Sequence, residues 1–428
     1  MKAGWKIAIF AIVALILLAA LLLIRQYRRD YSKAQVAEAR ARADSLGMLV
    51  YAEQLQKHAV SDERNAWVDL DELRKLYDTA GTSSGDWKNV PEIMSIRDKG
   101  QFLSHARAAL GRWEPMLALA RKAAKKQGYF PNVNWEDGAA LLRPDFATCK
   151  AVIRALLMES RTKQLEGDVE AAVQPLEVAA QIARLLLADR TVLGVLVCAA
   201  IEVLVAKEVV AQAALAESTK HREALSEVLG YLYRPVQVEE AFAFETVLFV
   251  ESVRMVSIEN EAGNRLRSSI RPEDRPLISR MDLPPHLARL FEARALQEAG
   301  DYYAGLNDDL SAYAHNDALL HRLTGSTANW TADGFPIGFA KLLEQLGGGG
   351  FVQSGGAYWR LALRSLSKQA TRLAFEMATG NIAPSDGQSW IGVEVNGSEL
   401  TYASKNGGFE IEISAPDVES STLSFERL

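Results

Sequence analysis

The chain has 428 residues, 49% hydrophobic, 24% charged and 8% aromatic, which is apolar material for about two or three domain cores and excludes disorder as the main state. With 13 Pro and 29 Gly it is neither collagen-like nor low-complexity, and its two cysteines, Cys149 and Cys198, make neither a disulfide scaffold nor a four-cysteine zinc site. The net charge of −6 hides an asymmetry: beyond Lys33 there are 42 basic and 53 acidic residues, a net of −11, the wrong sign for a nucleic-acid partner.

Ile7 to Ile24 is an unbroken apolar run, IAIFAIVALILLAALLLI. As a helix it measures about 27 Å, close to the hydrocarbon thickness of a bilayer. It exceeds the core of a secretory signal, and Arg25-Gln-Tyr-Arg28-Arg29-Asp30 follows instead of a small-residue cleavage site. The run therefore predicts an uncleaved, single-pass anchor with the lipid bilayer as partner. Val192–Val205 is the next most apolar stretch, but it contains Glu202 and suits a buried helix. Arg25, Arg28, Arg29 and Lys33 outnumber Lys2 and Lys6, which by charge count leans toward a cytoplasmic body. Short basic N-terminal tails, however, remain in the cytoplasm, and the expectation is an extracytoplasmic body on the bacterial cytoplasmic membrane.

The expected fold class is mainly α, with a transmembrane helix, an antiparallel array of helical hairpins and a small three-stranded meander. The divisions are an anchor at 1–25, a polar stalk helix at 26–59, a helical body at 60–346, a Gly-rich linker at 347–357 and a helix plus meander at 358–428. Gln26–His58 is rich in Ala, Glu and Arg and lacks Pro, as a long polar helix should be. Asp98–Lys126 has helical apolar spacing with Pro115 as a kink or boundary, and its Arg121-Lys122-Ala-Ala-Lys125-Lys126 run suits a helix C-terminus. Pro144–Ser218 reads as three helices, separated by Gly167-Asp168 and by Asp189-Arg190-Thr191. Further helices are expected at Lys220–Leu232, Val238–Asn260 and Pro285–Thr324, with a proline-rich crossing between the last two. Gly347–Gly350 and Gly355-Gly356 read as a flexible joint, and Tyr358–Thr379 as a helix capped by Gly380. Beyond it, alternation around Asn396-Gly397 and Asn406-Gly407 predicts the meander, with Ile391, Val393 and Val395 packed on Tyr358–Thr379.

Asp62–Ala66, Phe130-Pro131 with Trp135–Gly138, Leu165–Ala171 and Leu193–Glu202 together resemble an uncharacterised bacterial family with one N-terminal membrane helix and a long, tetratricopeptide-like helical body. Arg360–Ile413 is similar to that family's tail and to the tails of type II secretion pseudopilins, departing from the latter at Pro384-Ser-Asp386-Gly387. The resemblance implies architecture and an envelope location, and no catalytic residues.

No nucleophile elbow, phosphate loop or dinucleotide fingerprint occurs in the sequence. His315 and His321 diverge on a helix, so neither metal nor cofactor is expected. The candidate functional residues are Trp135, Glu136 and Asp137 in an aromatic loop, and Glu245, Glu251 and Arg254 on an apolar helix. A carboxyl half-buried among Phe242, Phe244 and Phe249 has the raised pKa of a general acid, and Arg254, three residues from Glu251, is its ready partner. The leading expectation is a non-enzymatic scaffold with a protein partner. The alternatives are an envelope hydrolase using paired carboxylates and a secretion or pilus-type assembly component.

Overall fold

Between Ile7 and Ser45 no Pro or Gly interrupts the chain, and the apolar run and the polar stretch form one continuous helix, α1 (Lys2–Ser45). It stops at Gly47, whose φ of +70° only glycine adopts without penalty. The amides of Gly47 and Met48 return to the carbonyls of Asp44 and Ala43, a Schellman closure. The helix expected to reach His58 thus ends thirteen residues earlier, followed by a short α2 (Ala52–Leu55) and a 3-10 turn (Gln56–His58). Nor does the whole stretch stand free, because Ser32, Ala39 and Ala43 form a buried stripe along α1.

The computed structural model describes residues 2–80, 89–140, 145–189, 191–233, 353–391, 398–405, 408–415 and 418–426, with Phe244, Val247, Leu248, Val250, Glu251, Arg254 and eight positions from Arg289 to Gly300. The proline-rich crossing, the tetraglycine, both Asn-Gly turns, His315, His321 and Glu245 lie outside these residues. Two compact units interleave along the chain. One comprises Met1–Gln56, Asn134–Leu141 and Ala243–Gln353; the other comprises Lys57–Val133, Leu142–Phe242 and Ser354–Leu428.

The second unit builds one core from α3 (Ala66–Ala80), α4 (Val90–Met94), α5 (Lys99–Ala124), α6 (Asp145–Glu166), α7 (Val169–Leu186), α8 (Val192–Leu215), α9 (Thr219–Tyr231), α10 (Gln353–Ala378) and a sheet. Its helix starts follow short polar side chains. Asp98, Asp168, Thr191 and Ser218 accept from the amides of Gln101, Ala171, Gly194 and His221 at 2.7, 3.2, 2.9 and 3.1 Å, each satisfying an amide that the helix leaves open. Gly167, at φ +90°, turns α6 into α7. Pro115 lies inside α5 without ending it, because Trp113, Met116 and Leu117 beside it are held in the core. Among the described residues Val169–Asp189 is long and apolar enough to cross a membrane, at a mean hydropathy of 1.2, yet 56% of that window is buried. Packed by α6, α8 and α9, it is the central helix of this core.

Two features fix the ends of this helical array. Asn65, buried before α3, donates its side-chain amide to the Phe130 carbonyl (2.7 Å) and accepts from the amides of Phe130 (3.0 Å) and Trp67 (3.1 Å). Ala66 N donates to Gly128 O and Gly128 N to Arg64 O, so Asp62–Ala66 and the 128–130 loop form one clamp. A Cβ at Gly128 would meet the Val60 methyls at 3.0 Å, so any larger residue requires Val60 to shift by a few tenths of an ångström. At the other end, Tyr233 adopts φ +56°, an unfavourable conformation for a residue with a Cβ. Buried Glu202 holds it there by accepting from its amide at 2.7 Å, and its hydroxyl meets Thr371 Oγ1 at 3.0 Å.

The tail corrects the three-stranded expectation. It is a four-stranded antiparallel sheet of β1 (Ser389–Ile391), β2 (Glu399–Lys405), β3 (Gly408–Ala415) and β4 (Val418–Glu426), in that order. The serines of VESSTLSFE mask its strand period, but Leu423 and Phe425 pair with Ile411 and Phe409 and complete one apolar face. That face packs on α8 through β4 and shares its core with Leu366, Ala370, Ala374 and Phe375 of α10, whereas Val393 and Val395, expected to pack on Tyr358–Thr379, lie outside the described residues. α10 begins at Gln353, so Gly355 and Gly356 are helical residues and not part of a joint. The Pro384–Gly387 segment closes the β2 edge: Tyr402 N donates to Gln388 O, Gly387 N to Tyr402 O and Ser404 N to Asp386 Oδ1.

Asn65→Ala removes the acceptor of the Phe130 and Trp67 amides and the donor to the Phe130 carbonyl and is expected to lower stability by about 2–3 kcal/mol. Urea denaturation of the purified chain reads this out, and a loss below about 0.5 kcal/mol contradicts the clamp.

Candidate functional site

Five of the six expected site residues are described, and all five lie in the first unit. Trp135 opens a 3-10 turn (Trp135–Ala140) that Asn134 starts by donating from its side-chain amide to Asp137 Oδ1 at 2.9 Å. The Trp135 ring is buried and meets Phe244 edge-on, with centroids 5.9 Å apart at 85°. This contact draws the loop onto the helical residues that carry Glu251, and Glu136, itself exposed, comes close enough for its charge to act on Glu251.

Glu251 is buried, at 2% exposure. Its Oε1 accepts from Ala52 N at 2.9 Å and from Arg254 at 3.0 Å, and its Oε2 accepts from Arg254 at 2.9 Å. Burial pushes its carboxyl above the ordinary value of 4.5, opposed by the Ala52 amide and Arg254 and assisted by the charges of Glu53 and Glu136. Tyr51, immediately before α2, lies between two guanidinium groups, Arg40 at 4.6 Å and Arg254 at 5.1 Å from its ring centre. Its hydroxyl donates to Glu292 Oε1 at 2.7 Å, and burial together with that carboxylate pushes the phenol well above its usual range. Gln54 Oε1 accepts from Val50 N and Tyr51 N, fixing the start of α2.

The result is a clasp of charged and hydrogen-bonding side chains around the segment that follows α1. Glu251 offers no open face to a substrate, since both oxygens are engaged and the side chain is buried, so its role here is to seat Ala52 and Arg254. Tyr51, Arg40 and Glu292 were not among the expected residues. The Tyr51–Glu292 pair spans 241 positions of sequence, and no local pattern in either segment announces it.

Three cations of the Arg121–Lys126 run have partners within the protein. Arg121 meets Glu159 (2.7 Å) and Glu114 (3.1 Å), Lys122 meets buried Asp69 (2.6 Å), and Lys126 donates to the Glu63 carbonyl (2.6 Å). Among the described residues no group of three or more His, Cys, Asp or Glu side chains is arranged to hold a metal ion.

In the second unit a half-open cavity of about 470 Å³ lies between the end of α8, the end of α10 and the sheet. Leu215, Met377, Ile382, Tyr402, Phe409 and Phe425 dominate its lining, which contains no ionisable group apart from the Tyr402 phenol. Phe409 and Phe425 stack at 5.2 Å and Tyr402 tilts against Phe409, giving a firm aromatic floor. Nothing in the sequence marked this site, because its walls come from three segments brought together only by the fold.

Comparison with protein-family models, with curated proteins and with solved structures yields no match. The chemistry of the chain is therefore argued from its own residues.

The raised carboxyl of Glu251 gives a signed pH dependence. A glutamate with its folded pKa above 4.5 stabilises the fold fully below 4.5, and this contribution disappears as pH rises through the folded value. Glu251→Gln keeps the acceptor for Ala52 and removes the titration. The stability of the unaltered chain minus that of the variant should fall as pH rises from about 4.5 toward neutrality, measured by urea unfolding at each pH. A difference that is flat or rises with pH contradicts the assignment.

Proposed function

We propose that the chain is a membrane-anchored scaffold of the bacterial envelope that binds another protein through its helical body. The observation that carries the reading is the outward-facing apolar surface of α1: Leu17, Leu18, Leu21, Leu22, Leu23 and Ile24 are 50–71% exposed. Soluble proteins rarely leave a contiguous apolar surface of this kind in water, and a bilayer covers it at no polar cost. Together with the purely apolar Ile7–Ile24 sequence, this supports a single-pass anchor. The body is taken to be extracytoplasmic, following the short basic tail of Lys2 and Lys6.

Binding fits the second unit better than catalysis does. Its cavity offers aromatic and aliphatic walls without converging carboxylates, suited to a cluster of apolar side chains from a partner polypeptide. Leu215 stands at the cavity at 41% exposure, within reach of such a partner. Paired-carboxylate hydrolysis is the second reading, supported by the approach of Glu136 to Glu251, but Glu251 is already occupied by Ala52 and Arg254.

The experiment is crosslinking of intact spheroplasts with a membrane-impermeant reagent, then mild-detergent purification of the full chain. The expected result is a defined protein adduct whose yield falls at least tenfold in Leu215→Arg, with the melting temperature unchanged. An adduct insensitive to that substitution, or none while the chain remains in the membrane fraction, contradicts the reading.

A further inference from the structure

Between the apolar end of α1 and its first buried residue lies a short collar that is exposed all round. Every residue from Leu17 to Tyr31 is exposed, and Ser32, the next along the helix, is fully buried. Ile24 ends the apolar run, leaving seven residues, Arg25 to Tyr31, or about 10 Å of helix, before burial begins. That length spans one headgroup layer of a bilayer, about 5–7 Å since the two interfaces together add about 10–15 Å to the hydrocarbon core, and leaves less than one further helical turn before burial begins.

The collar has two chemical faces. At 100° per residue Arg25, Arg28 and Arg29 fall within an arc of about 100°, and Tyr27 and Tyr31 lie together on the far side. The two tyrosine rings are stacked one turn apart with centroids at 6.2 Å, and they are 70% and 49% exposed. The collar's single acid, Asp30, accepts from Gln26 Nε2 at 2.8 Å and lies outside the arginine arc. Three guanidinium groups thus face outward with no acid interleaved among them, beside an aromatic pair of the amphipathic kind that settles at membrane interfaces. Water alone gives no reason to expose two stacked tyrosines next to eight residues of bare leucine, isoleucine and alanine.

We infer that Arg25, Arg28 and Arg29 form a binding collar for the phosphate headgroups of anionic phospholipids, with Tyr27 and Tyr31 seated in the same interfacial layer. This inference rests on the anchor reading of Ile7–Ile24 and adds a lipid preference to it. The arginine arc supplies planar, bidentate donors that match phosphate oxygens, and the tyrosines offer rings to the glycerol level and hydroxyls to water. Because burial of α1 starts at Ser32, one turn beyond Arg28, the rest of the first unit begins at the membrane surface and not at the tip of a stalk.

The test places the full chain in nanodiscs made of three parts phosphatidylcholine to one part phosphatidylglycerol and counts the lipids it retains by native mass spectrometry. The expected result is phosphatidylglycerol enriched among retained lipids well above its bulk share. The preference should fall roughly fivefold for each arginine in the series Arg25→Gln, Arg28→Gln and Arg29→Gln. These positions are exposed, so unchanged circular dichroism and melting are expected, and Tyr27→Ala/Tyr31→Ala gives a second, charge-neutral variant with a smaller loss. Retention at bulk composition by a chain that still resists alkaline extraction overturns the collar and leaves the anchor standing. Enrichment that survives loss of all three arginines also overturns the collar. Recovery of the chain in the soluble fraction overturns both.

Discussion

One helix sets the terms for the first unit. α1 has neither Pro nor Gly between Ile7 and Ser45 to break it, and its surface changes character in register with its length. Leucine faces outward up to Ile24, a charged and aromatic collar follows, and from Ser32 a stripe of small side chains is buried. Gly47 then ends the helix, and the next segment is captured at once by Glu251, Arg254 and Glu292 acting on Ala52 and Tyr51. A substitution that breaks α1 between Arg25 and Ser45 would uncouple the apolar segment from this clasp without touching either.

Residues that look chemical in the sequence mostly carry structural tasks in the fold. Glu202 restrains a strained tyrosine backbone, Asn65 splices two loops, and Asp69 accepts the lysines of α5. Each is buried, and each would lose water without replacement if its donor were removed. Glu251 belongs to the same group despite its raised pKa, since a buried carboxyl held by the Ala52 amide and by one Arg254 nitrogen shared between its two oxygens has little freedom to move a proton. The apolar cavity beside α8 needs no such groups, and its stacked phenylalanines form a rigid floor.

Legibility followed the distance over which each signal acts. The three central helices could be read because Gly167, Asp168 and Thr191 act on their own neighbours, by positive φ and by side-chain caps. β4 was missed because its alternating positions hold serine and threonine and its apolar residues come late, at Leu423 and Phe425. The end of α1 was placed thirteen residues too far because a lone Gly47 weighs little in a composition average, although a Schellman closure needs only that one residue. Trp135, Glu136 and Glu251 were legible as candidates, whereas Tyr51 and Arg40 acquire meaning only from contacts with Arg254 and Glu292, far along the chain. The cavity is further still from any linear pattern, as its α8 wall at Val210–Leu215 lies more than 160 positions before the walls from α10 and the sheet.

The central claim, that one rigid helix passes from lipid to headgroups to packed protein between Leu17 and Ala43, is tested most directly by a spin-label scan of those positions in the full chain embedded in lipid nanodiscs. Cys149 and Cys198 are buried and do not compete for the label. Oxygen accessibility should dominate through Ile24 and give way to accessibility to a water-soluble nickel complex over Arg25 to Tyr31. Both should then fall together at Ser32, Ala39 and Ala43 with helical periodicity. Uniform access of the nickel complex from Leu17 through Ile24, or loss of periodicity beyond Ser32, would contradict the account.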